Sequence, residues 1–469
     1  MSTFSGLGTA ASALAAARRG MDVVGQNIAN QATPGYTRQR VDTSAIPAAA
    51  LSSRFSVGAL PGHGVSVDGI SRLGDALLDA RVREASSSAG FWSARALAAT
   101  TVEAALAEPT ENGLAARLSK FWSGWQDLAI TPDSGAAATV VLESAAQLSS
   151  QIAGGYRAVA AQWSDTRASA ERTIVQVNEA ATQIADLNAQ IRDALSSGRS
   201  ANELIDRRDG LVQTTSRLIG ARGTLEADGT MTVRVDGNAL VSGDSARSLT
   251  LDGPLSMDAN GAMTVSWSGT TGFAVAVDGG ELGGMLSVLA PASDGGTLAG
   301  IAESYNAVAT ALAAQVNAQH RLGETAAGQP GGDFFTLAAT GPAALGLGLA
   351  VQDASDLALA SPGGGPLDAG NANAISRIGR SGGSPDALWT NAVGAFAVGT
   401  AGDIQRAQLS DAAAVTAVTA QRSVAAVDGD EETISLLTYQ SAYQAAARVL
   451  TAVDESLDVL INRTGLVGR

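Results

Sequence analysis

The chain offers few side chains of the kinds that catalyse reactions or bind metal ions. It has no cysteine, which excludes disulfides, thiol catalysis and thiolate metal sites. Its two histidines, His63 and His320, stand far apart in the sequence, and no HExxH motif is present. The segment Gly-Asp-Ser-Ala-Arg at 243–247 lacks the final glycine of a nucleophile elbow. The sequence therefore predicts a protein that is not an enzyme and that has no cofactor and no metal ion.

Structural roles account better for the remaining candidates. His63 lies in a Pro-Gly-His-Gly turn and His320 at the end of a helical stretch, so both are expected at the surface. The acidic run 428–432 resembles part of a calcium loop, but it lacks the spaced ligands and the terminal glutamate of such a loop. We interpret it as the acidic start of a helix, where negative charge is favourable.

The net charge argues against nucleic acid and membranes as partners. Acidic residues number 45 and basic residues 30, which gives a formal charge of −15 that repels polyanions and anionic lipid. No run of 18 apolar residues indicates a transmembrane helix. Arg18 and Arg19 follow the N-terminal Ala/Leu run, which is the reverse of a cleavable signal peptide. These features favour a cytoplasmic protein, or one exported without a cleaved signal.

The N-terminus carries a heptad pattern. Apolar residues occupy the a and d positions of four heptads: Leu7, Ala10, Leu14, Ala17, Met21, Val24 and Ile28. This spacing predicts a helix over 4–30, roughly 40 Å long. Asn30 ends it, and Pro34-Gly35 fits the centre of a type II turn that leads into an extended segment, 36–46.

A matching pattern occupies the C-terminus. Its a and d positions are Leu436, Tyr439, Tyr443, Ala446, Leu450, Val453, Leu457 and Leu460. The helix is predicted to begin at Asp430 as the N-cap, with Glu431 and Glu432 in its first turn. Two apolar seams of similar length are expected to pack against each other and to leave apolar surface for neighbouring molecules.

Between these ends the pattern is mainly helical, with one β insertion. The helices are predicted at 71–107, 113–130, 137–197, 202–219, 297–321 and 402–427. From 223 to 288, short alternating segments separated by Gly, Asp and Asn indicate strands, with Asp236-Gly237 as a hairpin turn. Residues 323–400 are rich in Gly, Pro and Ala and are expected to be irregular.

The residues around the first turn resemble a known family signature. Asn27-Ile-Ala-Asn30 followed by Thr-Pro34-Gly35-Tyr36-Thr-Arg-Gln is similar to the N-terminal motif of bacterial flagellar rod, hook and hook-associated proteins. The run from Thr438 to Leu457 resembles the terminal helix of the same proteins. Within the family, the motifs at 187–191 and 202–209 and the chain's last residues favour the hook-associated members at the hook–filament junction.

The resemblance implies a fold and an organisation. The fold class is mainly α with inserted β: paired terminal coiled-coil helices, a long-helix bundle and a small outer β domain. The domains expected are a terminal coiled-coil (inner tube) domain of 1–36 with 428–469, a helical bundle domain of 37–222 with 289–427, and a β domain of 223–288. The terminal helices would then line an inner tube.

The resemblance also implies partners, a location and the residues that matter. The partners expected are further copies of the chain, hook protein, hook-associated protein 3 and a cytoplasmic export chaperone on the C-terminal segment. The location expected is the extracellular flagellum, reached without a cleaved signal. The assembly interface is predicted at Leu7, Leu14, Met21, Val24, Ile28, Leu436, Tyr443, Leu450, Val453, Leu457 and Leu460, and the signature turn at Asn27, Asn30, Pro34, Gly35 and Tyr36.

Two alternatives remain open at this point. The chain could be a hook or rod subunit of the same axial family. It could also be a secreted adhesin or enzyme with flagellar-type ends, in which the β insertion at 223–288 would carry binding. That insertion has neither an aromatic cluster nor a catalytic constellation, which counts against the second alternative.

Overall fold

The computed structural model describes residues 3–47, 62–259, 261–269 and 273–463. Its helices are α1 (Thr3–Ala29), α2 (Ala76–Leu106), α3 (Leu114–Ile130), α4 (Gly135–Ser196), α5 (Asn202–Ile219), α6 (Gly280–Leu289), α7 (Thr297–His320), α8 (Ala343–Gly346), α9 (Gly370–Ser376), α10 (Pro385–Ala425) and α11 (Gly429–Asp458). A π-helical turn, Val459–Arg463, follows α11. The fold is mainly α with small inserted sheets, as predicted. Among the described helices, none combines the length and apolar character that crossing a membrane requires.

The strands form five small antiparallel sheets in the described chain. They are β1 (Gln39–Ala45), β2 (Val65–Arg72), β3 (Arg222–Leu225), β4 (Met231–Val235), β5 (Asn238–Ser242), β6 (Ser245–Ala246), β7 (Leu249–Asp252), β8 (Thr264–Trp267), β9 (Ala274–Val275), β10 (Glu324–Thr325), β11 (Phe335–Thr336), β12 (Gly348–Leu349) and β13 (Ala358–Ala360). The sheets pair β1 with β2, β3 to β6 in order, β7 to β9 in order, β10 with β13 and β11 with β12.

The terminal helices α1 and α11 pack against each other. Gly6 lies against Val453 and Gly20 against Tyr439, so the two helices run antiparallel. A Cβ atom at Gly20 would overlap the Tyr439 ring. This explains why glycine occupies a position inside a helix, where it is less stabilising than alanine. The predicted start of α11 at Asp430 is two residues late. Asp428 is the N-cap, because its carboxylate accepts from the amides of Asp430 (2.9 Å) and Glu431 (3.2 Å).

The 62-residue helix α4 forms the spine of the bundle. Ser134 caps its N-terminus by accepting from the Ala137 amide at 3.2 Å. Apolar residues recur every three or four positions along this helix, as its predicted position at 137–197 required, and those from Ile152 to Ile191 are buried, whereas Leu195 is exposed. This stripe of residues packs against α3, α5, α6 and α7 and so connects most of the core.

Helix α10 begins well before the predicted position 402. Ser384 caps it by accepting from the Ala387 amide at 3.1 Å, and Pro385 follows at the first helical position. Residues 385–400, predicted to be irregular, therefore belong to a helix that packs along α2. Trp389 anchors this part, because it is buried and donates from Nε1 to Glu108 Oε1 at 2.8 Å.

The strands β3 to β9 lie between Arg222 and Val275 and, apart from Arg222 itself, within the stretch for which short strands were predicted. Asp236 and Gly237 both have positive φ (50° and 72°), which is the geometry of the predicted hairpin turn between β4 and β5. The strands end at Val275, and the helix α6, absent from the prediction, follows. The close approach of α6 to α2 requires glycine at Gly284, since a Cβ there would overlap the Phe91 carbonyl.

Three asparagines on the bundle helices each bind strand backbone through both atoms of their amide. Asn188 Nδ2 donates to the Met231 carbonyl and Asn188 Oδ1 accepts from the Met231 amide, both at 2.9 Å. Asn178 binds Leu249 and Asn317 binds Phe335 in the same two-bond manner. These side chains satisfy strand groups that would otherwise need another strand.

The prediction that His320 lies at the surface is wrong. The side chain is fully buried beside Trp125 and Phe334. Its Nδ1 lies 2.8 Å from the Gly332 carbonyl, and its Nε2 accepts from the Ala358 amide at 3.0 Å. Both contacts fit a neutral ring protonated at Nδ1, and burial lowers its pKa. His63, by contrast, is exposed as predicted.

We expect His320 to make the fold sensitive to mild acid. Its folded-state pKa is depressed, so the unfolded chain binds a proton more readily and stability falls as pH drops below about 6.5. Urea unfolding at pH 7.5 and 5.0 measures the loss. His320→Phe should lower stability at pH 7.5 by about 1–3 kcal/mol, because the Ala358 amide loses its acceptor, and it should shrink the difference between the two pH values. His63→Phe is the control; an equal pH effect in both variants would contradict this role of His320.

Candidate assembly site

The signature turn adopts the predicted geometry. The Tyr36 amide donates to the Thr33 carbonyl at 3.2 Å, and Gly35 has φ 78°, as a type II turn requires. Asn30 Nδ2 donates to the Gln26 carbonyl at 3.0 Å and so caps the end of α1. Residues 31–35 are exposed, whereas Tyr36 is half-buried and leads the chain back towards the bundle.

Asn27 joins three parts of the chain. Its side chain is only 1% exposed, and its Nδ2 donates to the Gln39 carbonyl (2.9 Å) and to Glu432 Oε2 (3.0 Å). Its Oδ1 accepts from the Gln39 amide and from the Tyr36 hydroxyl, both at 3.0 Å. Every hydrogen-bonding position of the Asn27 amide is thus used, and it ties α1 to β1 and to the first turn of α11.

Arg38 completes the link to α11. Its Nε donates to Glu432 Oε1 at 2.6 Å, and its Nη1 donates to Glu431 Oε2 at 2.5 Å. The Glu432 side chain is only 2% exposed, and each of its two oxygens accepts one hydrogen bond, from Asn27 and from Arg38. The Arg38 amide also donates to the Ala425 carbonyl at the end of α10 (2.8 Å). A buried carboxylate satisfied in this way holds the two ends of the chain together.

A second charged group connects the turn to the bundle. Arg72 Nη2 lies 2.6 Å from Asp206 Oδ1, and Arg72 Nη1 lies 3.1 Å from Asp209 Oδ2. The Thr37 amide donates to Asp206 Oδ2 at 3.2 Å. Burial, assisted by nearby carboxylates including Asp206, raises the pKa of Tyr36 to about 12. The phenol therefore stays protonated and keeps its donor to Asn27 at physiological pH.

Taken together, these contacts form a signature cluster, defined here as Asn27, Tyr36, Arg38, Arg72, Asp206 and Glu432. A cavity of about 500 Å³ lies beside it, lined by the turn, α2, α5 and the end of α10. Sequence reasoning selected Asn27 and Tyr36 but missed Arg38, Arg72 and Glu432 as partners. The motifs that resemble the family contained Arg38 and Asp206, which was the available signal.

The predicted C-terminal interface residues lie on α11, except Leu460, which lies in the π-helical turn after it. Leu436, Tyr443, Leu450, Val453 and Leu457 are half-buried, whereas Leu460 is 52% exposed. The uncovered opposite face of α11 carries further apolar residues that the prediction did not include: Ile434 (65% exposed), Leu437 (57%) and Val449 (51%). The helix therefore has apolar groups on two sides.

The predicted interface residues of α1 divide into two sets. Val24 is buried, as are Ala10, Ala17 and Val23, which the interface prediction did not include. The remaining predicted residues lie at the edge of the contact: Leu7, Leu14 and Met21 are half-buried, and Ile28 is 40% exposed. Leu14 and Leu450 line one surface groove of about 540 Å³ with Arg18, Arg19 and Asp22. The structure thus brings Leu14 and Leu450 together on an open face.

Comparison with known families gives these features a context. A family model described as "Flagellar hook-associated protein FlgK helical domain" matches residues 99–335, about half of the chain. The chain belongs to the flagellar hook-associated protein FlgK family. Two flagellar rod models match the ends: "Flagella basal body rod protein" at residues 7–37 and "Flagellar basal body rod FlgEFG protein C-terminal" at 423–463. Those two matches coincide with α1 and its turn and with α11.

Individual relatives agree with the family. "Flagellar hook-associated protein 1" of Bacillus subtilis (strain 168) is 28% identical over the full length of both chains. The protein of the same name from Escherichia coli (strain K12) is also 28% identical, over 71% of this chain and 60% of that relative. The flagellar hook junction protein FlgK from Burkholderia pseudomallei has the same fold, with a TM-score of 0.62 over 74% of this chain and all of that one, at 17% identity.

Membership of this family settles the class of function. FlgK proteins are structural components of the flagellum, so the chain is a flagellar structural protein and not an enzyme. As a flagellar axial protein it assembles with itself and with other flagellar proteins. Within the described residues, no group of three potential metal ligands occurs.

Proposed function

We propose that this chain is a subunit of the junction between hook and filament, and that it assembles through its paired terminal helices. The observation that carries the proposal is the α1/α11 pair, whose helices are joined at one end by the signature cluster. The pair leaves accessible the groove lined by Leu14 and Leu450 and the face of α11 that carries Ile434. Contacts that repeat head to tail around an axis produce rings or helical tubes. Burial of these side chains between copies would supply about 1.5–3 kcal/mol each.

The same contacts support a proposed division of the chain into three domains. The inner tube domain comprises 1–36 with 428–469, the bundle 37–222 with 289–427, and the outer β domain 223–288. The signature cluster lies where the first two meet, since Arg38 binds Glu432 of α11 while Arg72 binds Asp206 of α5. The cluster would thus fix the orientation of the bundle relative to the inner tube domain.

The proposed partners are those that a junction requires. One neighbour would be hook protein on one side, and the other would be hook-associated protein 3 on the opposite side. Before export, a cytoplasmic chaperone would bind the C-terminal segment, whose exposed apolar side chains Leu437, Val449 and Leu460 support such a contact. Export would use the flagellar secretion channel without a cleaved signal, to an extracellular location.

Deletion of the gene tests the proposal. A junction subunit should leave hooks without filaments and release flagellin into the medium, which electron microscopy and an immunoblot of the culture fluid measure. Loss of a hook or rod subunit would instead leave cells without hooks. Normal filaments on the deletion strain would contradict a junction role.

A further inference from the structure

We propose that Asn27 and Glu432 set the register in which α1 pairs with α11. Buried apolar residues recur at seven-residue intervals on α1, as Ala10, Ala17 and Val24 do, and α1 packs along α11. A seam of repeated small apolar residues gives similar packing after a slide of one heptad. Another feature must therefore distinguish the observed register from a slipped one.

The buried polar pair supplies that distinction. In the observed register Glu432 receives Asn27 Nδ2 at 3.0 Å and Arg38 Nε at 2.6 Å. After a slide of α11 that places Tyr439 opposite Ala13 instead of Gly20, Glu432 would lie opposite Gly20. There the carboxylate would lose both donors while staying at the helix contact, and an unpaired buried charge is strongly unfavourable.

The packing of Gly20 against Tyr439 is a weaker determinant of the register. In the slipped pairing the Tyr439 ring would meet Ala13, which is larger than glycine by one methyl group. Shifting the Tyr439 ring by that amount costs less free energy than leaving the buried Glu432 carboxylate without its donors. Asn27 is further anchored to β1 by two hydrogen bonds to Gln39, so the register is tied to the strand that leads into the bundle.

The register also determines the open surface. Leu14 and Leu450 line one groove only when the helices pair as observed, because a heptad slide would bring Tyr443 or Leu457 to the place of Leu450. This consequence rests on the proposed assembly function, whereas the register itself does not. Measuring the register on the purified full chain therefore tests the register proposal independently of the proposed assembly function.

Disulfide cross-linking measures the register directly, because the chain has no native cysteine. Gly6→Cys with Val453→Cys reports the observed pairing, since a Cβ at Gly6 would lie 3.5 Å from Val453 Cγ2. Gly6→Cys with Ala446→Cys reports the slipped pairing. In the background of Asn27→Leu with Glu432→Leu, which leaves no carboxylate buried, the slipped cross-link should increase by about tenfold.

Asn30→Leu is the matched control, because it makes the same chemical change three residues away. In the part of the chain that the structure describes, the Asn30 side chain bonds only to residues 26 and 33. This variant should leave the Gly6–Val453 cross-link dominant. The single variant Glu432→Gln, which keeps an acceptor for Asn27, should do the same. If the double leucine variant still forms only the Gly6–Val453 cross-link, the apolar seam alone sets the register and the proposal is overturned.

Discussion

Leu14→Asp and Leu450→Asp are each expected to abolish incorporation of the protein into flagella. Both side chains line the groove on the α1/α11 pair, and in the proposed assembly a neighbouring copy covers that groove. An aspartate there would carry a charge into the buried interface in every subunit, and its loss of hydration would exceed the contribution of the lost leucine even though Arg18 and Arg19 line the same groove. Immunoblots of purified flagella, compared with whole cells, measure the incorporated fraction.

Conservative variants at the same positions provide the control. Leu14→Met and Leu450→Met keep an apolar side chain of similar volume and should incorporate normally. The purified Asp variants should retain the thermal transition of the bundle, because that core lies around α4 and not at the terminal pair. Wild-type levels of both Asp variants in flagella would refute the assignment of this groove to assembly.

The long helices could be predicted because their burial follows a simple period. The helix α4 was predicted at 137–197 from the spacing of its apolar residues, since one face of a continuous helix meets the core along its whole length. The start of α10 was missed because Gly394 and Gly399 weaken the helical pattern of 385–400. Ser384 followed by Pro385 was the usable signal, since this pair caps and opens a helix.

The contact face of α1 was only partly predictable. The heptad pattern weighs apolar side chains, so it included Leu7, Leu14 and Met21 in the seam. The face of α1 that packs against α11 also includes Gly20 and Asn27. Gly20 allows a close approach because it has no side chain, and Asn27 can be buried there because its amide is fully hydrogen-bonded. Neither residue has the apolar character that a periodicity argument detects.

The ion pairs of the signature cluster lay beyond sequence reasoning for a different reason. Arg38 and Glu432 stand at opposite ends of the chain, and many arginines and carboxylates could have paired. Only the antiparallel packing of α1 on α11, which brings β1 beside the first turn of α11, selects this pair. The acidic run at 428–432 was interpreted as a helix start, which it is, and one of its members has this second role.

Arg38→Ala is expected to loosen the attachment of α11 to the N-terminal segment. The variant would leave the Glu432 carboxylate buried with Asn27 as its remaining donor, and loss of one partner from a buried ion pair costs about 3–5 kcal/mol. Arg38→Lys should recover part of the loss, because an ammonium group can reach one carboxylate but lacks the fork that serves both Glu431 and Glu432. Hydrogen exchange of the amides in the first two turns of α11 measures the effect.

Arg40→Ala separates this effect from a general loss of charge on the same strand. Arg40 is exposed and, among the described residues, its one ion pair is with Asp42, at 3.4 Å; exposed pairs contribute little. It should leave exchange in α11 unchanged, while Arg38→Ala should speed exchange there and leave α4 protected, because α4 is held by the bundle core. Equal protection of α11 in the Arg38→Ala and Arg40→Ala proteins would show that apolar packing alone holds the terminal pair, and the signature cluster would then have no part in joining the tube to the bundle.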